Sequence, residues 1–150
     1  NRIRTEDDMN SQFTARAMTT INAPVSKVWQ ALVNPELIKQ YLFNTDVISD
    51  WKVGSPITYK GEWQGKTFED KGEILEIEPE KILKSTHWSP LSGVPDSPEN
   101  YHTVTYTLSG KGDSTEVMIT QDNNATEDEK AHSEKNWQTV LKSMKDLLEV

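Results

Sequence analysis

Between residues 126 and 150, Ala131, Trp137, Val140, Leu141, Met144, Leu147 and Leu148 recur every three or four positions, with Lys135, Lys142, Lys145 and Asp146 between them. That spacing predicts a long amphipathic helix. Thr126 can cap its first turn, Glu129 three residues later completes a capping box, and Glu127 and Asp128 suit the positive end of the dipole. Such a helix runs roughly 35 Å, and its apolar stripe needs an equally long surface to lie on.

Upstream the apolar period shortens to two. Phe13, Ala15, Ala17, Thr19 and Ile21 alternate with polar neighbours and predict a first strand, ended by Asn22, Ala23 and Pro24. Two short helical stripes follow: Val25, Val28, Trp29, Leu32 and Val33, then Leu37, Ile38, Tyr41 and Leu42 behind Pro35. Strands are predicted over 45–50, 56–62, 67–78 and 81–88, separated by turn residues at 53–55, 64–66 and 79–80. Residues 89–100, with three prolines and a glycine, read as an irregular loop. Val104, Tyr106, Leu108, Val117 and Ile119 then share one side of a hairpin that turns at 110–113. About seven strands, two early helices and a long last helix are most simply packed as an antiparallel sheet curled around that helix, an α+β arrangement. Residues 1–10 mix charges without periodicity and are read as a loose arm, leaving 11–150 as one domain.

Composition narrows the classes of activity. A chain of 150 residues suits one domain with a real core. A net charge of −8 without a basic stripe argues against nucleic-acid binding. With no cysteine, disulfides, thiolate catalysis and cysteine zinc sites are excluded. No apolar run has the length to span a membrane and no signal-peptide core is present, so the default location is cytoplasmic. The chain opens on Asn1, which allows for processing or a boundary upstream.

Catalytic signals are sparse. His87, His102 and His132 lack metal-ligand spacing, no nucleophilic-serine elbow or phosphate loop occurs, and neither metal nor cofactor is called for. The carboxylates at 127–129 are helix-start residues rather than a cation site. What remains is a set of amphipathic side chains on the faces that should look inward. Period-two alternation points Tyr106 and Gln121 to the interior; Tyr59, Gly61 and Trp63 share a face; Trp88 lies beside the proline-rich loop. Ile82 and Leu83 leave the register of that strand open, and the larger apolar surface of tryptophan favours Trp88 inward and His87 outward. Tyr59, Trp63, Trp88, Tyr106, Gln121 and Trp137 are therefore the expected ligand-binding residues, since ligand sites combine an apolar wall with few polar groups. Taken singly, each is better read as core packing, and it is the set that points to a pocket.

Several segments are similar to one known family. Ile21-Asn22-Ala23-Pro24, Val28-Trp29-Gln30-Ala31-Leu32, Asn34-Pro35-Glu36 and Tyr41 resemble the opening of the Hsp90 ATPase activator homologue 1-like family, within the START/Bet v 1-like superfamily. Trp51-Lys52-Val53-Gly54, Gly61-Glu62-Trp63, the run from Gly72 to Pro79, Trp88, Trp137 and Leu141 extend the resemblance over residues 14–148. The resemblance implies a helix-grip fold: a seven-stranded antiparallel sheet, two small helices and a long terminal helix. For function it implies a range: carriers of small apolar molecules, cyclases and dehydratases, and co-chaperones. The corresponding expectations are a noncatalytic binding module for a small apolar or aromatic molecule, or an enzyme using Glu62, His87, Tyr59 or Tyr106 to move protons. A third is a protein-binding domain with a chaperone partner.

Overall fold

In the computed structural model, which describes residues 13–149 apart from the side chain of Trp63, the first alternating segment forms edge strand β1 (Ala15–Ile21). Ala15, Ala17 and Ile21 are buried, while Arg16, Met18 and Thr20 are exposed. The segment read as a loose arm, 1–10, lies outside the described residues. Helix α1 (Val25–Val33) buries Val28, Trp29, Ala31 and Leu32. In α2 (Pro35–Tyr41), Asn34 Oδ1 accepts the Glu36 N–H at 3.0 Å and Pro35 occupies the first turn, where its missing N–H costs nothing.

The remaining strands are β2 (Asp46–Ser49), β3 (Pro56–Trp63), β4 (Lys66–Glu78), β5 (Ile82–His87), β6 (His102–Lys111) and β7 (Ser114–Gln121). They form one seven-stranded sheet in the order β1-β7-β6-β5-β4-β3-β2, every neighbouring pair antiparallel. The long helix α3 (Glu127–Leu148) completes the sheet-and-helix packing that the periodicity predicts and the helix-grip fold that the resemblance implies. Thr126 Oγ1 accepts the Glu129 N–H at 3.1 Å and so caps it. The loop at 89–100 contains two single 3-10 turns, Pro90–Ser92 and Pro98–Asn100.

Helix α3 buries Ser133, Val140, Leu141, Met144 and Leu148, and half-buries Trp137 and Leu147. Ala131, expected on the stripe, is exposed, and Ser133 takes the inward position in that turn. The same helix closes the free edge of β1 with its polar side chains. Glu134 Oε2 accepts the Arg16 N–H at 2.9 Å, Lys145 Nζ donates to the Thr20 carbonyl at 2.8 Å, and Glu149 Oε2 accepts the Asn22 N–H at 2.7 Å. Backbone groups that would template another strand are thereby occupied.

On the far side of the sheet, β4 departs from simple alternation. The pairing with β5 shifts between Ile74 and Glu76, a bulge that lets both Ile74 and Ile77 face the core although they lie three residues apart. Counting back from Ile74, the inward residues are Gly72, Asp70 and Phe68. At Gly72 the two backbones come so close that a Cβ would sit 1.7 Å from the Thr86 carbonyl oxygen. Glycine is the residue that this crossing accepts.

Candidate functional site

A cavity of about 330 Å³ lies between the inner face of the sheet and α3, where Trp137 and Val140 stand over Val104 and Tyr106. Leu42, Phe68 and Tyr59 extend its apolar wall. The space is left where the first turns of α3 present Ser133 and Asn136 rather than large apolar groups. Polar side chains gather on its two flanks.

On the β7 flank, Gln121 points inward as alternation requires. Its Oε1 accepts the Trp137 indole N–H at 2.8 Å, and its Nε2 donates to Asn124 Oδ1 at 3.3 Å and Ser133 Oγ at 3.4 Å. Asn124 in turn donates to the carbonyls of Phe13 at 2.7 Å and Gln121 at 3.0 Å, so the start of β1, the end of β7 and α3 are stitched together here. The Trp137 ring meets Tyr106 edge to face, centroids 5.9 Å apart. Gln121 thus orients the indole that forms part of the wall.

On the opposite flank, His87 Nε2 and Asp70 Oδ2 lie 3.0 Å apart, and Tyr59 packs edge to face on the His87 ring at 5.5 Å. The second carboxylate oxygen, Asp70 Oδ1, is buried without a hydrogen-bond partner. Burial, reinforced by the Asp70 charge and partly offset by the nearby Ser85 hydroxyl, pushes the Tyr59 hydroxyl up to about 12. Burial likewise raises Tyr106 well above the ordinary tyrosine value, with the nearby Tyr59 and Tyr41 adding to it. Both phenols therefore stay neutral near pH 7, with O–H groups able to donate.

Of the expected residues, Tyr59, Tyr106, Gln121 and Trp137 are brought together around this cavity. Trp63 ends β3 opposite Lys66, and its side chain lies outside the described residues. Trp88 requires a correction. Leu83 and Ser85 are the buried members of β5, so alternation turns His87 to the cavity and Trp88 to the outer face. There Trp88 stacks on Tyr101 at 6.4 Å, lies under the Lys71 ammonium at 5.8 Å and donates its indole N–H to the Val94 carbonyl at 3.2 Å. The loop and Tyr101 cover the apolar area that had favoured the inward choice. Glu62 is exposed and borders an outer groove, while His102 Nδ1 is engaged with the Asp122 carbonyl at 2.8 Å.

Asp70 was not anticipated from sequence. Its one trace is the pair Ile74 and Ile77, whose separation of three within a strand signals a bulge and reverses the facing of everything before it. Ser133, Asn136 and Asn124 were also missed, because polar residues at a helix start and in its leading loop read as solvated.

The sequence matches the model of the family described as Activator of Hsp90 ATPase homolog 1-like protein over residues 22–149. No protein with a curated functional description matches it. Among solved structures, a Cytophaga hutchinsonii protein is 57% identical, with 91% of this chain and 93% of that one covered and a TM-score of 0.80. The Aha1 dimer from Colwellia psychrerythraea is 25% identical over 91% of this chain and 96% of that one, TM-score 0.71. A Mesorhizobium loti protein, 24% identical over 90% and 96% of the two chains with a TM-score of 0.70, shares the fold. On the strength of the family match across most of its length, the chain belongs to the Activator of Hsp90 ATPase homolog 1-like family.

Proposed function

We propose that this protein is a binding module for a small aromatic or largely apolar molecule carrying a few hydrogen-bonding groups. The observation that carries the reading is the cavity of about 330 Å³ beneath α3, walled by Tyr106, Trp137, Val104 and Val140 and flanked by fixed polar groups. Its size lies at the lower end of small-ligand sites, and a mostly apolar wall with few polar anchors is their usual composition. Tyr106 supplies a neutral hydroxyl in the centre of the wall. Binding in the cytoplasm is part of the proposal; among the described residues, no helix is long and apolar enough to cross a membrane.

Native mass spectrometry of freshly purified protein, followed by titration of aryl compounds against intrinsic tryptophan fluorescence, tests the reading. A copurified small molecule, or saturable quenching that is lost in Tyr106→Ala, is the expected result. Absence of saturable binding across a set of mono- and bicyclic aryl compounds would overturn it.

A protein-binding role is the second reading, and the family match is what favours it. The acidic surface would suit a basic patch on a chaperone. Coprecipitation with Hsp90 and stimulation of its ATPase would place this role ahead of the first.

A further inference from the structure

The Asp70–His87 pair has more chemistry than holding an apolar ligand requires. A cavity that only binds is served by neutral donors such as those around Gln121, whereas here a carboxylate is carried inward by the β4 bulge and left with Oδ1 buried and unpartnered. Leaving such an oxygen unsatisfied costs about 1–3 kcal/mol, and a group retained at that cost calls for an explanation. Asp70 Oδ2 accepts from His87 Nε2 at 3.0 Å. That bond leaves Nδ1 as the basic nitrogen of the ring, and among the described residues the ring makes no other hydrogen bond. His87 borders the cavity, its plane set by the edge-to-face contact with Tyr59. Tyr59 lines the same cavity beside it. A base, a group that orients it and a neutral donor beside it are the parts that proton abstraction needs.

We propose, resting on the reading of this cavity as an aromatic-ligand site, that His87 is a general base toward a bound aryl ketone, with Asp70 as its positioning residue and Tyr59 as donor to the enolate oxygen. His87 Nδ1 takes the proton from the carbon beside the carbonyl. The C–H electron pair becomes the new C=C bond, and the carbonyl π pair moves onto oxygen, where the Tyr59 O–H meets it. The imidazolium exchanges its proton with solvent and returns one to carbon, which restores the ketone, so no oxidant, reductant or second substrate is consumed. Burial favours the neutral phenol, which keeps the donor in place, and the Asp70 carboxylate stabilises the imidazolium as it forms. The substrate class follows from the span: His87 on β5 and Gln121 on β7 are two strands apart and two residues out of register, roughly 12 Å at the backbone. One or two fused rings fill that distance, lying against the edges of Trp137 and Tyr106.

The probe is 1-tetralone in D2O, with loss of its C2 protons followed by NMR and its binding followed by the Trp137 indole N–H resonance. The wild-type protein should accelerate exchange about a hundredfold over buffer, the lower range for a positioned general base. His87→Ala and His87→Gln should both return the rate to within about twofold of buffer; the Gln variant preserves volume, and the wild-type result stands without either. Asp70→Asn should slow exchange about tenfold and shift the 15N resonances of the His87 ring, which a packing role alone would not do. Binding of tetralone without accelerated exchange overturns the base assignment and leaves the cavity reading intact. Undiminished acceleration in both His87 variants also overturns it. Failure to bind tetralone removes both readings for aryl ketones.

Discussion

At the scale of single residues, the side chains that matter most are those whose partners come from distant parts of the chain. Gln121, expected as an anchor for ligand, lies in the cavity wall with its amide already bonded to Trp137, Asn124 and Ser133. Gln121→Leu should therefore lower stability by about 1–3 kcal/mol, because the indole N–H loses its acceptor. Urea denaturation measures this, and a loss below about 0.5 kcal/mol would mean that the indole finds another partner. Gly72 is the second such residue. Gly72→Ala places a methyl 1.7 Å from the Thr86 carbonyl oxygen, a backbone atom that cannot swing aside. The expected cost exceeds about 2 kcal/mol, as for overpacking that must move backbone, and the same denaturation experiment tests it.

At the scale of elements, α3 is held by more than its apolar stripe. Its Lys145 and Glu149 pair with each other and with the Thr20 carbonyl and Asn22 N–H of the chain around β1. The Lys145 ammonium beside Glu149, helped by the Asn22 N–H, holds that carboxyl below its usual value of 4.5. Asp96, bonded by Lys71 and then by Tyr101, is likewise held below 3.8, which ties the 89–100 loop to β4. A depressed folded-state pKa adds stability that is complete above the unfolded value and lost as pH falls through the folded one. Asp96 is exposed and Glu149 is only half-buried, so each contribution is small and screened by salt. The urea midpoint should fall between pH 5 and pH 3, and Glu149→Gln should flatten part of that fall. An unchanged slope in the variant would assign the acid sensitivity to other carboxylates.

At the scale of the whole molecule, the proposed ligand would be coupled to folding through the cavity. A molecule that binds only the folded state at a hundred times its dissociation constant adds about 2.7 kcal/mol of stability. For a domain of this size that raises Tm by roughly 8 °C. Thermal unfolding with and without a ligand identified by mass spectrometry reads this directly. A ligand that binds without raising Tm would be sitting on the surface rather than under α3. The arrangement also explains where the void can persist: β1 and the lower part of α3 meet through Ala17, Leu141 and Met144 in the packed core, while the upper end is propped open by the Gln121–Trp137 contact and the Asp70–His87 pair.

The order and type of the elements follow from sequence because they rest on local repeats: a period near 3.6 in α3, a period of two in β1, β6 and β7, and glycine or proline between them. The inward faces of β6 and β7, including Tyr106 and Gln121, were legible for the same reason, since both strands run without interruption. The facing of β4 and β5 was not. Parity along a strand survives only until the first bulge, and the shift at Ile74 and Glu76 is fixed by how β4 lies on β5. That shift brings Asp70 into the cavity; Leu83 and Ser85 decide that His87, not Trp88, faces inward. The Asp70–His87 bond joins residues 17 apart across two strands. Local patterning sets which surfaces are apolar, but hydrogen-bond partners depend on register, and register is set only when the strands pair.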